Sequence, residues 1–157
     1  MSSDICEYPR REKQSFQIFF PSGIDQKAFL TTWPGGTPVS VELDPRFVRL
    51  LLVLYDFRLK DTEKDVQPPE ARGWRSREAI AMEIGRRTGY SIDAQTLSAY
   101  ANQLTRKLAR AFRLAFVGGR VPPLIDRRRN LGYRLPPHVE LTIIDGAIQE
   151  DQVTPGN

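Results

Sequence analysis

The residues most suggestive of chemistry are the arginines and lysines in the last third of the chain. Residues 101–135 contain nine basic residues and a single acid, Asp126, so this segment carries a net charge of +8. The whole 157-residue chain carries only +4, so the remaining residues together are acidic, at −4. A local charge of this size is typical of a surface that binds a polyanion. The alternative is that these charges merely solvate the surface of helices.

Residues that usually perform catalysis or hold metals are scarce. The chain has one cysteine, Cys6, and one histidine, His138, which together cannot form an intramolecular disulfide or a structural zinc site. It has no glycine-rich phosphate loop. Acids alternate at Asp61, Glu63 and Asp65, but the glycine and terminal glutamate of a calcium loop are missing. The sequence therefore predicts no enzyme, no cofactor and no metal site.

Composition and hydropathy predict a folded cytoplasmic domain with no membrane segment. Hydrophobic residues make up 40% of the chain and charged residues 27%, which is enough for a core. The longest apolar run, residues 50–55, has six residues, against about 20 for a membrane-spanning helix. The N-terminus has no hydrophobic stretch of the kind found in signal peptides.

The first third of the chain has the pattern of a small antiparallel β-meander. Aromatic and β-branched residues predict strands over 15–20, 28–33 and 37–43, separated by proline and glycine. Residues 1–14 are polar and are predicted to form a flexible arm.

Three helices follow. Asp44 and Pro45 are typical of a helix start, and the apolar residues after them predict a central helix to about Leu59. Residues 60–73 are expected to form a polar loop. Ser76 should cap the second helix and Gly89 should end it. Asp93 should cap a third helix over 94–116, whose apolar stripe is Leu97, Ala101, Leu104, Leu108, Ala111 and Ala115.

The last elements are a basic hairpin and an acidic tail. Residues 124–127 and 132–135 flank residues 128–131, and three consecutive arginines, residues 127–129, approach the tip of this hairpin. Residues 136–157 contain four acids and no lysine or arginine. We expect a short strand at most, over 139–144, followed by a disordered tail. The predicted folded domain therefore covers residues 15–135.

Three stretches resemble the OmpR/PhoB-type winged helix-turn-helix DNA-binding domain. Residues 74–78 (WRSRE) resemble the start of its second helix, and residues 97–108 (LSAYANQLTRKL) resemble its recognition helix. Residues 124–135 (LIDRRRNLGYRL) resemble its wing, with Leu124, Ile125, Gly132, Tyr133 and Leu135 at the family's spacing. The resemblance implies an α+β fold: a winged helix-turn-helix with an N-terminal antiparallel β-meander, three helices and a C-terminal β-hairpin wing.

This chain also departs from the family pattern. Thr105 stands where the family usually has arginine, and Arg127 replaces a threonine, which makes the wing more basic. Asn130 replaces a glycine, and we expect it to adopt the left-handed conformation that the glycine would supply. Because only residues 1–14 precede the predicted domain, we expect no receiver domain of the kind through which such regulators are usually phosphorylated.

The resemblance implies a sequence-specific transcriptional regulator of bacterial type that binds double-stranded DNA. Helix 94–116 would lie in the major groove, where Asn102 and Gln103 suit adenine and Arg106 suits guanine or a phosphate. The arginine wing would lie at the minor groove, and Arg75 and Arg77 beside Trp74 would hold a phosphate at a helix N-terminus. The candidate DNA-binding residues are Trp74, Arg75, Arg77, Gln95, Ser98, Asn102, Gln103, Thr105, Arg106, Arg110, Arg127, Arg128 and Arg129.

Two alternatives stay open from the sequence. A winged helix can instead serve as a protein-interaction module within a larger assembly, since a fold does not fix a function. Trp74 fits a core anchor as well as a phosphate contact. Besides DNA, RNA polymerase, another regulator and a second copy of the chain are candidate partners, because one such module reads few base pairs.

Overall fold

The computed structural model describes residues 13–21, 27–116, 121 and 123–146. Across this part of the chain the fold is α+β, with three α-helices, a four-stranded mixed sheet and a separate two-stranded hairpin. No described helix combines the length and hydrophobicity needed to cross a membrane. Most of the predicted arm, at residues 1–12, and Cys6 lie outside the described residues.

The four-stranded sheet contains the predicted meander. Strands β1 (Gln14–Phe20), β2 (Ala28–Thr32) and β3 (Val39–Leu43) pair antiparallel, with Ile18 opposite Leu30 and Leu30 opposite Val41. Side chains alternate between the two faces of the sheet, so that Phe16, Ile18 and Leu30 are buried on one face. The antiparallel meander predicted from the sequence is thus confirmed.

A fourth strand of this sheet corrects the predicted domain boundary. The short strand expected over 139–144, outside the predicted domain, is the seven-residue strand β6 (Val139–Asp145), which pairs parallel to β1 with Phe16 opposite Leu141. Val139 and Leu141 are buried in the core. The folded unit therefore continues past residue 135, because β6 covers the edge of β1 that the meander leaves open. The rest of the expected tail, residues 147–157, lies outside the described residues.

Helix α1 (Pro45–Glu63) lies in the centre of the fold. Asp44 caps it by accepting a hydrogen bond from the Arg46 backbone N–H at 3.0 Å. Its buried residues belong to the same core cluster as the inner face of the sheet: Phe47, Val48, Leu50, Leu51, Val53 and Leu54. The helix runs one turn beyond the predicted end at Leu59, so the predicted loop 60–73 is shorter than expected and contains a 3₁₀ turn (Pro69–Ala71).

Helices α2 (Arg77–Thr88) and α3 (Ala94–Phe112) begin at the predicted caps. The Ser76 Oγ accepts a hydrogen bond from the Ala79 backbone N–H at 3.1 Å. Gly89 ends α2 with a left-handed φ of 79°. Helix α3 was predicted to reach residue 116, but it ends at Phe112 and continues as a 3₁₀ turn (Arg113–Ala115). A turn of five residues, 89–93, therefore sets the angle between α2 and α3.

The hairpin consists of β4 (Asp126–Arg128) and β5 (Gly132–Arg134). Arg127 pairs with Tyr133, and Arg128 pairs with Gly132. Arg129 and Asn130 lie in the turn. The expectation that Asn130 is left-handed is wrong, because the positive φ of this turn, 97°, falls on Gly132.

Candidate nucleic-acid interface

Helix α3 has one buried stripe and an opposite face that is polar and basic. Leu97, Ala101, Leu104, Leu108 and Phe112 are buried in the core. The helical repeat of about 100° per residue places Gln95, Asn102 and Arg106 on the side away from this stripe. The exposed candidates on this helix are Gln95, Asn102, Gln103, Thr105, Arg106 and Arg110, whereas Ser98 is half-buried.

The start of α3 is fixed by Asp93. Its carboxylate accepts a hydrogen bond from the Thr96 backbone N–H at 2.7 Å. This bond lowers the pKa of Asp93, because it favours the charged form of the carboxyl group. The cap therefore fixes where the first turn of the helix presents Gln95 and Ser98.

The hairpin is fastened to the start of α2 through backbone hydrogen bonds. The Arg75 N–H donates to the Tyr133 carbonyl at 3.1 Å, and the Tyr133 N–H donates to the Arg75 carbonyl at 3.0 Å. Gly132 passes so close to Arg75 that a Cβ at this position would overlap the Arg75 carbonyl oxygen. Only glycine permits this approach together with a φ of 97°.

The hairpin also touches α3. The Tyr133 hydroxyl donates a hydrogen bond to the Ser98 Oγ at 3.1 Å, while its ring is buried. The Arg127 guanidinium lies 6.0 Å from the centre of the Tyr133 ring. Tyr133 thus holds the hairpin at a defined distance from α3, and Ser98 acts as its partner on the helix.

These attachments create a cleft of about 690 Å³ where the hairpin, α2 and α3 meet. We call it the hairpin cleft; its lining consists of Ser76, Arg77, Glu78, Ser98 and residues 127–133. It brings together five of the candidate residues from three elements: Arg77, Ser98, Arg127, Arg128 and Arg129. Glu78 is the single acid in this lining, and it lies 3.4 Å from Arg77.

Four exposed arginines on this side of the molecule carry charges that no nearby carboxylate neutralises within the described residues. Within the described part of the chain, Arg106, Arg110, Arg127 and Arg129 have no carboxylate within 4.0 Å. Their charge is therefore available to an external anion.

Arg75 does not belong to this surface, contrary to the sequence-based assignment. Its guanidinium donates to both carboxylate oxygens of Asp61, at 2.8 and 2.9 Å, and to the Trp74 carbonyl at 2.8 Å. It also lies 4.6 Å from the centre of the Phe57 ring. Asp61 pairs with the charge of Arg75, three of its five N–H donors are occupied, and Arg75 does not line the hairpin cleft.

Asp61 is a structural residue that the sequence did not identify. It was considered there only among the acids of a calcium loop, which was rejected. It is 7% exposed, and it also accepts a hydrogen bond from the Gly73 backbone N–H at 2.7 Å. The hydrogen bond from Arg75 is the main reason that the pKa of Asp61 falls from 3.8 to about 2. The one signal in the sequence is its spacing of four residues, one helical turn, from Phe57.

Trp74 is half-buried and packs against a structural arginine. The Arg134 guanidinium lies 4.5 Å from the centre of the Trp74 ring and forms an ion pair with Asp126 at 3.1 Å. Arg134 also donates to the Glu70 carbonyl. These contacts place Trp74 against the hairpin, outside the buried core cluster.

Within the described ranges, no three or more His, Cys, Asp and Glu side chains are grouped so as to hold a metal ion. In comparisons with known proteins, no protein-family model, no curated protein and no solved structure matches the chain.

Proposed function

We propose that this protein is a winged helix-turn-helix transcriptional regulator that binds double-stranded DNA in a sequence-specific manner. The observation that carries the proposal is the hairpin cleft, where exposed arginines of the hairpin meet the N-terminus of α2 and the polar face of α3. In this proposal α2 and α3 form the helix-turn-helix, and β4 and β5 form the wing.

Helix α3 has the dimensions of a recognition helix. Its 19 residues span about 28 Å at a rise of about 1.5 Å per residue. The major groove of B-DNA is about 12 Å wide and admits one helix. With the buried stripe facing the core, Asn102 and Arg106 would point to base edges, where asparagine suits adenine and arginine suits guanine.

The wing would lie beside the minor groove. Arg127 and Arg129 are exposed and lack a carboxylate partner in the described part of the chain. A narrow minor groove has a strong negative potential that attracts arginine. The backbone bonds from Arg75 would support the wing against α2 as it reaches the groove.

The N-terminus of α2 would hold a phosphate between these two contacts. Its first backbone N–H groups and its dipole favour an anion. Arg77 is exposed at this position and lines the same cleft. Phosphate contacts of this kind fix the orientation of the protein on DNA without reading its sequence.

Titration of DNA binding with salt tests the proposal. The apparent association constant of the full chain for duplex DNA should fall with salt, with a log–log slope of about −0.9 per phosphate contact. The double variant Arg127→Ala/Arg129→Ala should bind more weakly, with a slope flatter by about 1.8 if both arginines contact phosphates. Its melting temperature should stay near that of the wild type.

A matched control separates local contacts from net charge. Lys13→Ala/Lys27→Ala also removes two positive charges, but from the four-stranded sheet, where each lysine side chain is 73% exposed. This control should retain the wild-type slope. If the wild type fails to bind duplex DNA from a random pool at low salt, the proposal is wrong and a protein-interaction module is favoured. Equal losses of affinity and salt slope in both double variants would show only a non-specific attraction between the net charge of the protein and DNA.

A further inference from the structure

A second basic groove lies on the flank of α3 that faces α1 and β3. We call it the α1 groove; its volume is about 590 Å³. Its cations are Arg46 from α1 and Arg106, Lys107 and Arg110 from α3, and Val41 and Phe47 contribute apolar walls. None of the residues that line it is acidic.

Arg46 is held in place by two aromatic rings. Its guanidinium lies 4.8 Å from the centre of the Phe47 ring and 5.4 Å from the centre of the Tyr100 ring. The two rings contact each other edge to face, with their centres 6.4 Å apart. Asp44 lies 3.7 Å from the Arg46 Nε, but its carboxylate already accepts the backbone N–H that caps α1. Stacking of this kind orders a guanidinium while leaving its donors free at the edge of the plane.

The other three cations are not neutralised inside the described part of the chain. Arg106, Lys107 and Arg110 have no carboxylate within 4.0 Å there. All three lie within about 6 Å along the helix axis, from the rise of about 1.5 Å per residue. Four cations in one groove, with Asp44 beside Arg46 as their one carboxylate neighbour in the described part of the chain, favour a ligand with several closely spaced negative charges.

We propose that the α1 groove binds the phosphate backbone of the same DNA duplex, on the wall of the major groove opposite the wing. This inference rests on the proposed function. A helix about 10–12 Å in diameter fills a major groove about 12 Å wide, so both of its flanks meet phosphate walls. Tyr133 and the wing lie along one flank of α3, at Ser98. Lys107 and Arg46 lie along the other.

DNA fits this groove better than a separate acidic peptide because the two surfaces are continuous. Arg106 and Arg110 line the α1 groove and also belong to the exposed candidate residues of α3. An anion bound in the α1 groove would therefore lie beside the bases that α3 contacts in the proposed complex. The wing on one flank and Arg46 with Lys107 on the other would grip the two strands that border the groove.

The test compares Arg46→Ala/Lys107→Ala with Lys13→Ala/Lys27→Ala in salt-titrated binding to a duplex selected by the wild-type full chain. Loss of two phosphate contacts should flatten the log–log slope of the groove variant by about 1.8, and the control should keep the wild-type slope. Ethylation interference should identify phosphates whose modification blocks the wild type but no longer affects the groove variant. Those phosphates should lie on the strand away from the wing.

Each outcome decides a different question. If the wild type binds no duplex, the proposed function fails and this inference fails with it. If the wild type binds DNA and the groove variant keeps its slope and interference pattern, the inference alone is wrong. Binding to poly-glutamate that the groove variant loses, with an unchanged DNA slope, would also overturn it and assign the groove to an acidic peptide. If removal of Arg46 destabilises the fold, the single variant Lys107→Glu, which lies outside the aromatic stack, is compared with the control instead. The same salt slope and interference pattern are measured.

Discussion

The ion pair between Asp61 and Arg75 should give the fold a measurable dependence on pH. The pKa of Asp61 is about 2 in the folded protein instead of 3.8, which means that the folded state favours the charged carboxylate. A shift of this size corresponds to about 2 kcal/mol of stabilisation at neutral pH. The Asp61 side chain is 10% exposed and that of Arg75 is 28% exposed, so solvent screens the pair only in part.

We therefore expect Asp61→Asn to lower the free energy of unfolding by about 2–3 kcal/mol at pH 7, because the variant leaves the Arg75 charge without its partner. In a chain of this length this loss corresponds to about 4–12 °C in melting temperature. The contribution of Asp61 is complete above its unfolded pKa of 3.8 and disappears as the pH falls through about 2. The difference between wild type and variant should thus shrink to about half near pH 3.

Urea denaturation followed by far-UV circular dichroism at pH 7, 5, 3.5 and 2.5 measures this difference directly. Asp65→Asn is the matched control, since Asp65 also pairs with an arginine, Arg72 at 2.8 Å, but its side chain is 78% exposed. An exposed pair contributes at most about 1 kcal/mol. The reasoning is refuted if Asp61→Asn costs no more than the control, or if its cost is the same at pH 7 and pH 2.5.

Three further substitutions test how the interface is positioned. Leu104→Asp should abolish cooperative thermal unfolding, because Leu104 is fully buried and the change places a charge in the core; a native-like melting curve would contradict the assigned stripe. Gly132→Ala should destabilise the fold by more than Gly36→Ala. Both glycines have a φ of at least 90°, but only at Gly132 would an added Cβ meet Arg75. Equal melting temperatures of the two variants would disprove the close approach. Ser76→Ala should cost about 1 kcal/mol in urea denaturation through the lost cap, and Ser76→Asp should restore it; no loss would mean that the cap is unimportant.

The helices and the meander could be predicted because their signals are local. Asp44, Ser76 and Asp93 each cap the helix that was expected to follow, since a cap acts within its own turn of chain. Aromatic and β-branched residues, bounded by proline and glycine, mark the strands of the meander in the same local way. The same locality explains why α1 was predicted too short: the polar residues after Leu59 break the apolar pattern, but Asp61 is buried by its partners in the 73–75 segment.

The position of strand β6 was predicted, but its place in the sheet was not, because its partner β1 is more than 100 residues away. A parallel pairing with β1 depends on which edge of the sheet is free, and the periodicity of residues 139–145 does not carry this information. In addition, α1 contributes an anchor that the sequence does not reveal. The Arg58 guanidinium donates to the carbonyls of Pro136 and Val139, both at 2.7 Å, and fixes the chain as it enters β6.

The candidate site was predicted less completely than the fold because residue type does not show what pairs with a charge. Arg75 and Arg77 are neighbours and both suited a phosphate, but Arg75 is held by Asp61, 14 residues earlier, while Arg77 remains exposed. Conversely, Arg46 gave no signal and Lys107 counted only as one of the basic residues of 101–135, because the two come to the same groove only when α1 packs against α3.

The pairing of Arg75 also links the stability of α1 to the placement of the hairpin. Its side chain holds the end of α1 through Asp61, and its backbone holds the hairpin through Tyr133. Tyr133 in turn reaches Ser98 on α3. If the proposed function holds, Asp61→Asn should therefore weaken DNA binding without removing a phosphate contact: the affinity falls because the loosened hairpin must be ordered on binding, and the salt slope stays unchanged because the same contacts form in the complex. A loss of affinity with an unchanged slope separates a residue that positions the interface from one that touches DNA, because only direct contact releases counterions.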